Sequence, residues 1–150
     1  MSELRTAAAR KADVLAAFER PLDLWLGSAG PDGRPHLVPV TGWWDREQVV
    51  VATLGTSRTA RNLRATGLAR LGIGSAEDVI VIDSTVAGSI GVEAADAPLA
   101  EGFTQAVGWD PRTVGPGWIF LRLHPVRIQA YRGYNELEGR DVMRDSRWLA

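Results

Sequence analysis

Residues 52–63, ATLGTSRTARNL, combine hydroxyl groups and arginines at the point where a predicted strand passes into a predicted helix. The first turn of a helix offers free backbone N–H groups and the positive end of the helix dipole, and both favour an anion. The hydroxyls of Ser57 and Thr59 and the guanidinium of Arg58 would add hydrogen bonds to such an anion of about 1.5–3 kcal/mol each. The same residues also fit an ordinary helix, capped by Thr56 or Ser57 and carrying solvated arginines, so the spacing leaves both interpretations open.

The chain carries few of the residues on which protein-based catalysis usually depends. It has no cysteine, which excludes a thiol nucleophile, a disulfide and a thiolate zinc site. His36 and His124 are far apart in sequence and lie outside any metal-binding pattern, so no metal site is predicted. Neither a G-x-S-x-G elbow nor a glycine-rich nucleotide fingerprint occurs. If the protein is an enzyme, we therefore expect a bound cofactor to supply the chemistry.

Composition excludes several classes of partner. The 150 residues include 17 basic and 18 acidic ones, and a net charge of −1 gives no general attraction for nucleic acid or an anionic membrane. The length suits one domain over residues 1–150. The start lacks the apolar region of a signal peptide, and no run of about 18 apolar residues could span a bilayer. We expect a cytoplasmic protein that has neither a nucleic-acid nor a membrane partner.

Periodicity and turn residues predict the elements that position the anion-binding segment. Residues 1–20 favour an N-terminal helix, with Val14, Leu15 and Phe18 on its apolar side and Pro21 after its end. A three-stranded meander follows at residues 22–28, 35–44 and 48–53. Pro39 cannot donate to a ladder, so it should face a sheet edge, a bulge or a ligand. A helix is predicted at residues 56–66, ended by Gly67.

The second half alternates strands with one further helix. Strands are predicted at residues 68–74, 79–91 and 118–132, a helix at 98–109, a Gly/Pro-rich loop at 110–117 and one short strand in the polar tail. Many strands with hairpin turns and a few short helices indicate a mainly β or α+β fold, or a β-barrel with helical additions.

Two stretches together resemble the FMN-binding split β-barrel family of pyridoxamine 5′-phosphate oxidase-like proteins. DGRPHLVPV at residues 32–40, then a strand, then TSRTARNL follow the family's pattern, which its deazaflavin-dependent reductase relatives share. RIQAYRGYNELEGRDVM at residues 127–143 is similar to the oxidase's R-I-E-x-W…R-x-H-x-R. The resemblance covers residues 22–143 and implies a split barrel of about six antiparallel strands in Greek-key-like order.

The resemblance implies cofactor contacts on three successive segments. In this sequence they are His36, Val38, Pro39, Val40 and Thr41 on the second strand, Ala52 and Thr53 on the third, and Ser57, Arg58 and Thr59 at the helix start. The strand residues would meet the flavin ring system, and the helix start would meet its phosphate. Arg61 matches the arginine of the K-x-R-N-L pattern in the deazaflavin relatives.

The C-terminal match implies two more contacts. Tyr131 takes the position of a flavin-contacting tryptophan, and Arg140 that of a cofactor-binding arginine. In the family both come from the partner subunit, because the cofactor lies at a dimer interface, so a homodimer is implied. An aromatic plate and a cation suit a planar ring that carries anionic oxygens. Without the resemblance, Tyr131 fits an aromatic of the barrel core equally well.

Several departures from the family pattern affect the predicted activity. This chain has His36 and Thr41 where the oxidase has a basic pair, and Thr59 where its S-R-K sequence has lysine. Glu136 and Glu138 stand where the oxidase has its substrate-binding R-x-H. Two carboxylates at a substrate position would repel the phosphate of pyridoxamine phosphate. This argues against pyridoxamine-phosphate oxidase activity.

The favoured hypothesis is an FMN-dependent oxidoreductase that transfers a hydride or electrons between the cofactor and a small organic substrate. The alternatives are a reductase that uses the deazaflavin coenzyme F420, a non-catalytic flavin- or deazaflavin-binding protein, and a barrel without cofactor that serves as a dimeric interaction module. Trp43, with Trp44, Trp109 and Trp118, fits either an apolar substrate pocket or core packing. The loop at residues 110–117 is a candidate lid.

Overall fold

The computed structural model describes residues 3–150, which form three α-helices and eight strands. In chain order the elements are α1 (Ala7–Phe18), β1 (Leu22–Ala29), β2 (Pro35–Trp44), β3 (Val49–Leu54), α2 (Arg58–Thr66), β4 (Leu68–Ser75), β5 (Asp78–Gly91), α3 (Ala97–Val107), β6 (Trp118–Tyr131), β7 (Asp141–Arg144) and β8 (Arg147–Trp148). Two short 3-10 turns, Pro111–Thr113 and Tyr134–Glu136, lie on either side of β6.

Six antiparallel strands close into a barrel. Their order is β3-β2-β1-β4-β5-β6, and pairing of β3 with β6 closes the ring. Strands β7 and β8 extend the sheet from β6 as a small hairpin. The prediction of a mainly β fold, a six-stranded barrel with a few helices, is confirmed, and so is the meander of β1, β2 and β3.

The barrel interior is the main core, and a second cluster lies outside it. Buried and exposed residues alternate at the start of strand β1, as expected for an antiparallel strand with one face in contact with solvent, and Leu22, Leu24 and Leu26 are buried. Strand β3 buries both faces: Val49 and Val51 point into the barrel, whereas Val50 and Ala52 belong to the outer cluster. Helix α3 covers that outer cluster, which explains why β3 is apolar without alternation.

Helix α1 spans Ala7–Phe18, within the predicted range of residues 1–20. Thr6 caps it through a hydrogen bond that its hydroxyl accepts from the Ala9 N–H, a common helix start. Val14 and Phe18 of this helix pack against the barrel core. Helix α3 begins at Ala97 with Asp96 as its cap and ends at Val107, and is thus shifted from the predicted range.

The polar tail differs from the prediction of one short strand. It forms two, β7 and β8, joined by a tight turn at Asp145 and Ser146, both of which have positive φ. Residues other than glycine rarely adopt a positive φ, and tight turns of this kind usually contain glycine. Because this turn has none, the sequence pattern does not predict it.

Candidate functional site

Strands β2 and β3 separate soon after they begin to pair, and this opening is called the split. They pair only at Gly42–Trp44 with residues 49–51, so residues 35–41 have β1 as their sole neighbouring strand. The free edge of β2 therefore offers backbone N–H and C=O groups to a ligand. Pro39 lies on this edge, as predicted.

The predicted strand contacts divide between two faces of β2. Val38 and Val40 pack against the barrel core, and alternation places Pro39 and Thr41 on the outer face. His36 is half-buried and pairs with Ser28 of β1. Every residue of β2 along the split can therefore offer its backbone groups to a ligand, but only alternate residues offer their side chains on a given face.

On the opposite side of the split, β3 leads directly into α2. Ala52 is 8% exposed and belongs to the outer cluster under α3, so only its backbone can face the split. The hydroxyl of Thr53 lies 3.1 Å from that of Ser57, which joins the strand end to the helix start.

The start of α2 is an anion-attracting helix terminus. Ser57 is the cap, and its hydroxyl accepts a hydrogen bond from the Ala60 N–H at 3.1 Å. The backbone N–H groups of Arg58 and Thr59 donate to no atom among residues 3–150, and no acidic residue lies in the first turn. At the other end Gly67 has φ 71° and closes the helix, as predicted.

The arginines of α2 are not equivalent. Arg58 and Arg61 are exposed, and neither forms an ion pair or a side-chain hydrogen bond within the described chain. Arg64 instead donates to the Gly55 carbonyl at 2.6 Å, so it braces the turn before the helix. Thr59 is 4% exposed, yet its hydroxyl has no partner among residues 3–150. Two arginine side chains and one hydroxyl that have no partner among residues 3–150 therefore lie at the start of the helix.

A hydrogen bond that could not be predicted from the sequence anchors α2 to the barrel. Asn62 is buried and donates to the Ser28 hydroxyl at 3.2 Å. Because Ser28 pairs with His36, this bond places α2 beside the N-terminal end of β2, at one end of the split. An asparagine within a predicted helix does not indicate which residue its side chain will contact.

Tyr131 lies at the opposite end of β6 from the Thr53 side of the split, and Arg140 lies in the segment that follows β6. Thr53 pairs with Ile119 near one end of the 14-residue strand β6, whereas Tyr131 is its last residue. Tyr131 lines a cavity of about 810 Å3 together with Val79 and Tyr134. The side chain of Arg140 donates to Gln129 and to the Leu137 carbonyl, both at 2.8 Å.

The structure corrects the substrate position given to Glu136. This carboxylate is 1% exposed, and it accepts hydrogen bonds from the Arg5 side chain at 2.7 Å and from the backbone N–H of Arg5 and Arg132. These bonds, that of the Arg5 side chain above all, lower the pKa of Glu136 to about 2, although burial acts in the opposite direction. Glu136 is therefore a structural carboxylate that ties the N-terminal segment to the barrel and cannot meet a substrate.

The neighbouring Glu138 is exposed, and its carbonyl accepts from Arg10 of α1. The sequence could not reveal either contact, because each joins residues more than a hundred positions apart. With Glu136 neutralised internally, the charge argument against a phosphorylated substrate rests on Glu138 alone.

The tryptophans pack rather than converge on one pocket. Trp109 and Trp118 make an edge-to-face pair 5.4 Å apart in the outer cluster, and Trp44 packs on Phe18. Trp43 covers Gly102 of α3 so closely that a Cβ there would lie 2.4 Å from its ring. The indoles of Trp43 and Trp44 also line a cavity of about 510 Å3 beside α1, outside the split.

Residues 3–150 contain no group of three or more His, Asp or Glu side chains arranged to hold a metal ion. None of their helices combines the length and the apolar character needed to cross a bilayer. In the loop at residues 110–117, Asp110 caps a 3-10 turn and pairs with Arg112, whose guanidinium lowers the pKa of this carboxyl.

Comparison with known proteins identifies the fold. No protein-family model matches the sequence, and no curated protein matches it. An F420 reductase superposes with a TM-score of 0.64 at 15% identity, covering 75% of this chain and 93% of that chain. A candidate pyridoxamine 5′-phosphate oxidase from Listeria innocua gives 0.64 at 16% identity, with 82% and 98% covered. A heme-binding protein from Mycobacterium smegmatis gives 0.63 at 16%, with 90% and 57% covered.

The names of these three proteins indicate different ligands on one architecture, so the fold leaves the cofactor open. At such identities the likeness establishes the fold alone. The chain therefore has the split β-barrel fold of the pyridoxamine 5′-phosphate oxidase-like proteins.

Proposed function

We propose that the protein is a flavin-dependent oxidoreductase that binds FMN in the split between β2 and β3. The observation that carries the proposal is the start of α2, where two backbone N–H groups, the Thr59 hydroxyl and the side chains of Arg58 and Arg61 have no partner among residues 3–150. A terminal phosphate matches this set of donors, because helix N-termini and arginines both favour phosphate oxygens. These donors suffice for one phosphate group. The first turn of α2 contains no carboxylate that would repel it.

The remaining contacts would come from the split itself. The free edge of β2 at residues 36–41 offers backbone donors and acceptors for the polar edge of a flavin ring, and Thr53 lies where β3 meets the phosphate site. When bound, the flavin would supply the hydride transfer, and the protein would orient the ring and exclude water. The substrate would be a small organic molecule other than pyridoxamine phosphate.

A homodimer is part of the proposal. Tyr131 and Arg140 lie at the opposite end of β6 from Thr53, so one chain cannot bring both groups to the same ring. The outer face of β1 and β2 is apolar and open: Trp25 is 52% exposed and Leu37 63% exposed. A face of this kind fits a second copy of the chain, which would carry its own Tyr131 to the first copy's split.

The deazaflavin F420 is the second candidate cofactor. Arg61, exposed and unpaired one turn beyond Arg58, extends the cationic surface along α2, which suits a longer anionic tail. A protein that binds either cofactor without turnover would use the same contacts.

Titration of the purified protein with FMN and with F420 tests these proposals directly. We expect saturable binding of FMN, seen as quenching of its fluorescence, and weaker binding of F420. Arg58→Ala should weaken the binding of the preferred cofactor about tenfold to a hundredfold, because it removes a charge-assisted hydrogen bond. Tighter binding of F420 would support the second candidate, and no binding of either would overturn both.

Arg147→Ala is the matched control. It removes the same charge from an exposed arginine on β8 that has no ion pair in the described chain. An equal loss of affinity in both variants would show that net charge is what matters, and that α2 does not hold the phosphate.

A further inference from the structure

A small recess on the outer wall of the barrel contains an arginine without a counter-charge. Its volume is about 220 Å3, and it is called the Arg122 recess. It is lined by Arg122 and Phe120 of β6, by Gly88, Ser89 and Ile90 of β5, and by Gln48 just before β3.

Arg122 has no acceptor for any of its guanidinium hydrogens within residues 3–150. Its Nε atom is buried, and the side chain forms neither a hydrogen bond nor an ion pair there. A buried donor without a partner costs about 1–3 kcal/mol, and more when it is charged. No acidic residue lines the recess. An anion reaching Arg122 would therefore supply the first counter-charge to this side chain.

The recess also offers a polar group without a partner. The side-chain amide of Gln48 forms no hydrogen bond in the described chain. The β5–β6 register shifts between Val86 and Gly88, so a β-bulge forms one wall. A Cβ built on Gly88 would meet nothing within 4 Å, which shows that the space above it is open. Bulges often re-aim side chains beside binding sites.

We propose that the Arg122 recess binds a small organic carboxylate. A planar guanidinium pairs with a carboxylate through two parallel hydrogen bonds, and the Gln48 amide can donate one more. Ile90, which is 37% exposed, provides an apolar wall for the body of the ligand. The volume lies below the usual range for drug-sized ligands, so the ligand must be small.

The recess is separate from the split. Along the outer face, Val50 of β3 pairs with Arg122, whereas Ala52 pairs with Phe120 one row closer to α2. Phe120, in the second of these rows, is fully buried beneath α3. Binding in the recess therefore does not depend on whether the split holds a flavin.

Titration with benzoate, followed by amide chemical shifts of the 15N-labelled protein, tests the proposal. We expect saturable shifts of the Gly88 and Ser89 amides, and a response to the neutral isostere benzamide at least about tenfold weaker. Arg122→Gln should weaken benzoate binding about tenfold to a hundredfold, because it removes the charge but keeps a polar side chain.

Gly88→Val provides a second variant that leaves Arg122 intact. Since the space above Gly88 is open, the added side chain should fill the recess without disturbing the barrel and should abolish the benzoate response. Unchanged shifts of Gly88 and Ser89 in the wild-type protein, or equal benzoate affinity in Arg122→Gln, would overturn the proposal. Equal responses to benzoate and benzamide would also overturn it, because Arg122 would then play no part in recognition.

Discussion

Combining two defective variants tests whether one cofactor site is built from two subunits. Arg58→Glu reverses the charge at the start of α2, and Tyr131→Ala removes the aromatic plate at the far end of β6. Thr53, just before α2, pairs with Ile119 near the opposite end of this 14-residue strand. Twelve residues separate Ile119 from Tyr131, and as an extended strand they span at most roughly 40 Å, much more than a flavin ring system. If both side chains contact one flavin, they must therefore belong to different subunits.

The expected magnitudes follow from this geometry. Each variant by itself should bind FMN at least about tenfold more weakly, because it loses a hydrogen-bonded charge or a stacked ring worth about 1.5 kcal/mol. When the two variants are coexpressed and pair at random, about half of the dimers are mixed. One of the two sites in each mixed dimer is then free of both substitutions. About a quarter of all sites should regain wild-type affinity.

Flavin fluorescence titration of the coexpressed sample, with a different tag on each variant to verify mixed dimers, measures this fraction. A tight phase of about a quarter of the sites, followed by a weak phase, is the expected curve. A curve equal to the average of the two parents, in a sample shown to contain mixed dimers, would refute the reasoning. The site would then lie within one chain, or Tyr131 would not belong to it.

Three further predictions concern the stability of the fold. Glu136→Gln should lower the free energy of unfolding at neutral pH by about 2–3 kcal/mol. In the wild type, the stability due to the lowered pKa of Glu136 should be lost as the pH falls from 4.5, the ordinary pKa of a glutamate, towards about 2. In the variant, the free energy of unfolding measured by chemical denaturation should depend less on pH over this range. Ser57→Ala removes the cap of α2 and should cost about 0.5–2 kcal/mol in the same assay, with no effect expected if the cap is dispensable. Gly102→Ala should cost about 1–3 kcal/mol because its Cβ meets the Trp43 ring, and Gly88→Ala is the control that should be nearly neutral; equal effects would contradict the packing assigned to α3.

Local signals predicted most of the elements because each depends on neighbours in the chain. Alternating apolar residues in β1, Ser57 before α2 and Gly67 after it are all decided within a few positions. The boundaries of α1 and the two strands of the tail were less accessible, because a Thr cap and a turn of ordinary residues leave a weak signal. The resemblance of short motifs then indicated which barrel these elements form.

Only the tertiary structure decided which predicted residues can act. The sequence by itself determined that α2 begins with hydroxyls and arginines beside a strand end, since that is a matter of spacing along the chain. It could not show that Glu136 is neutralised by Arg5, because the two meet across 131 positions through the docking of the N-terminal segment. Nor could it show that Tyr131 lies at the opposite end of β6 from Thr53, or that Arg122 has no counter-charge within the described part of the chain. Charge pairing, burial and distance are properties of the closed barrel, whereas the residue types available to it are properties of the sequence.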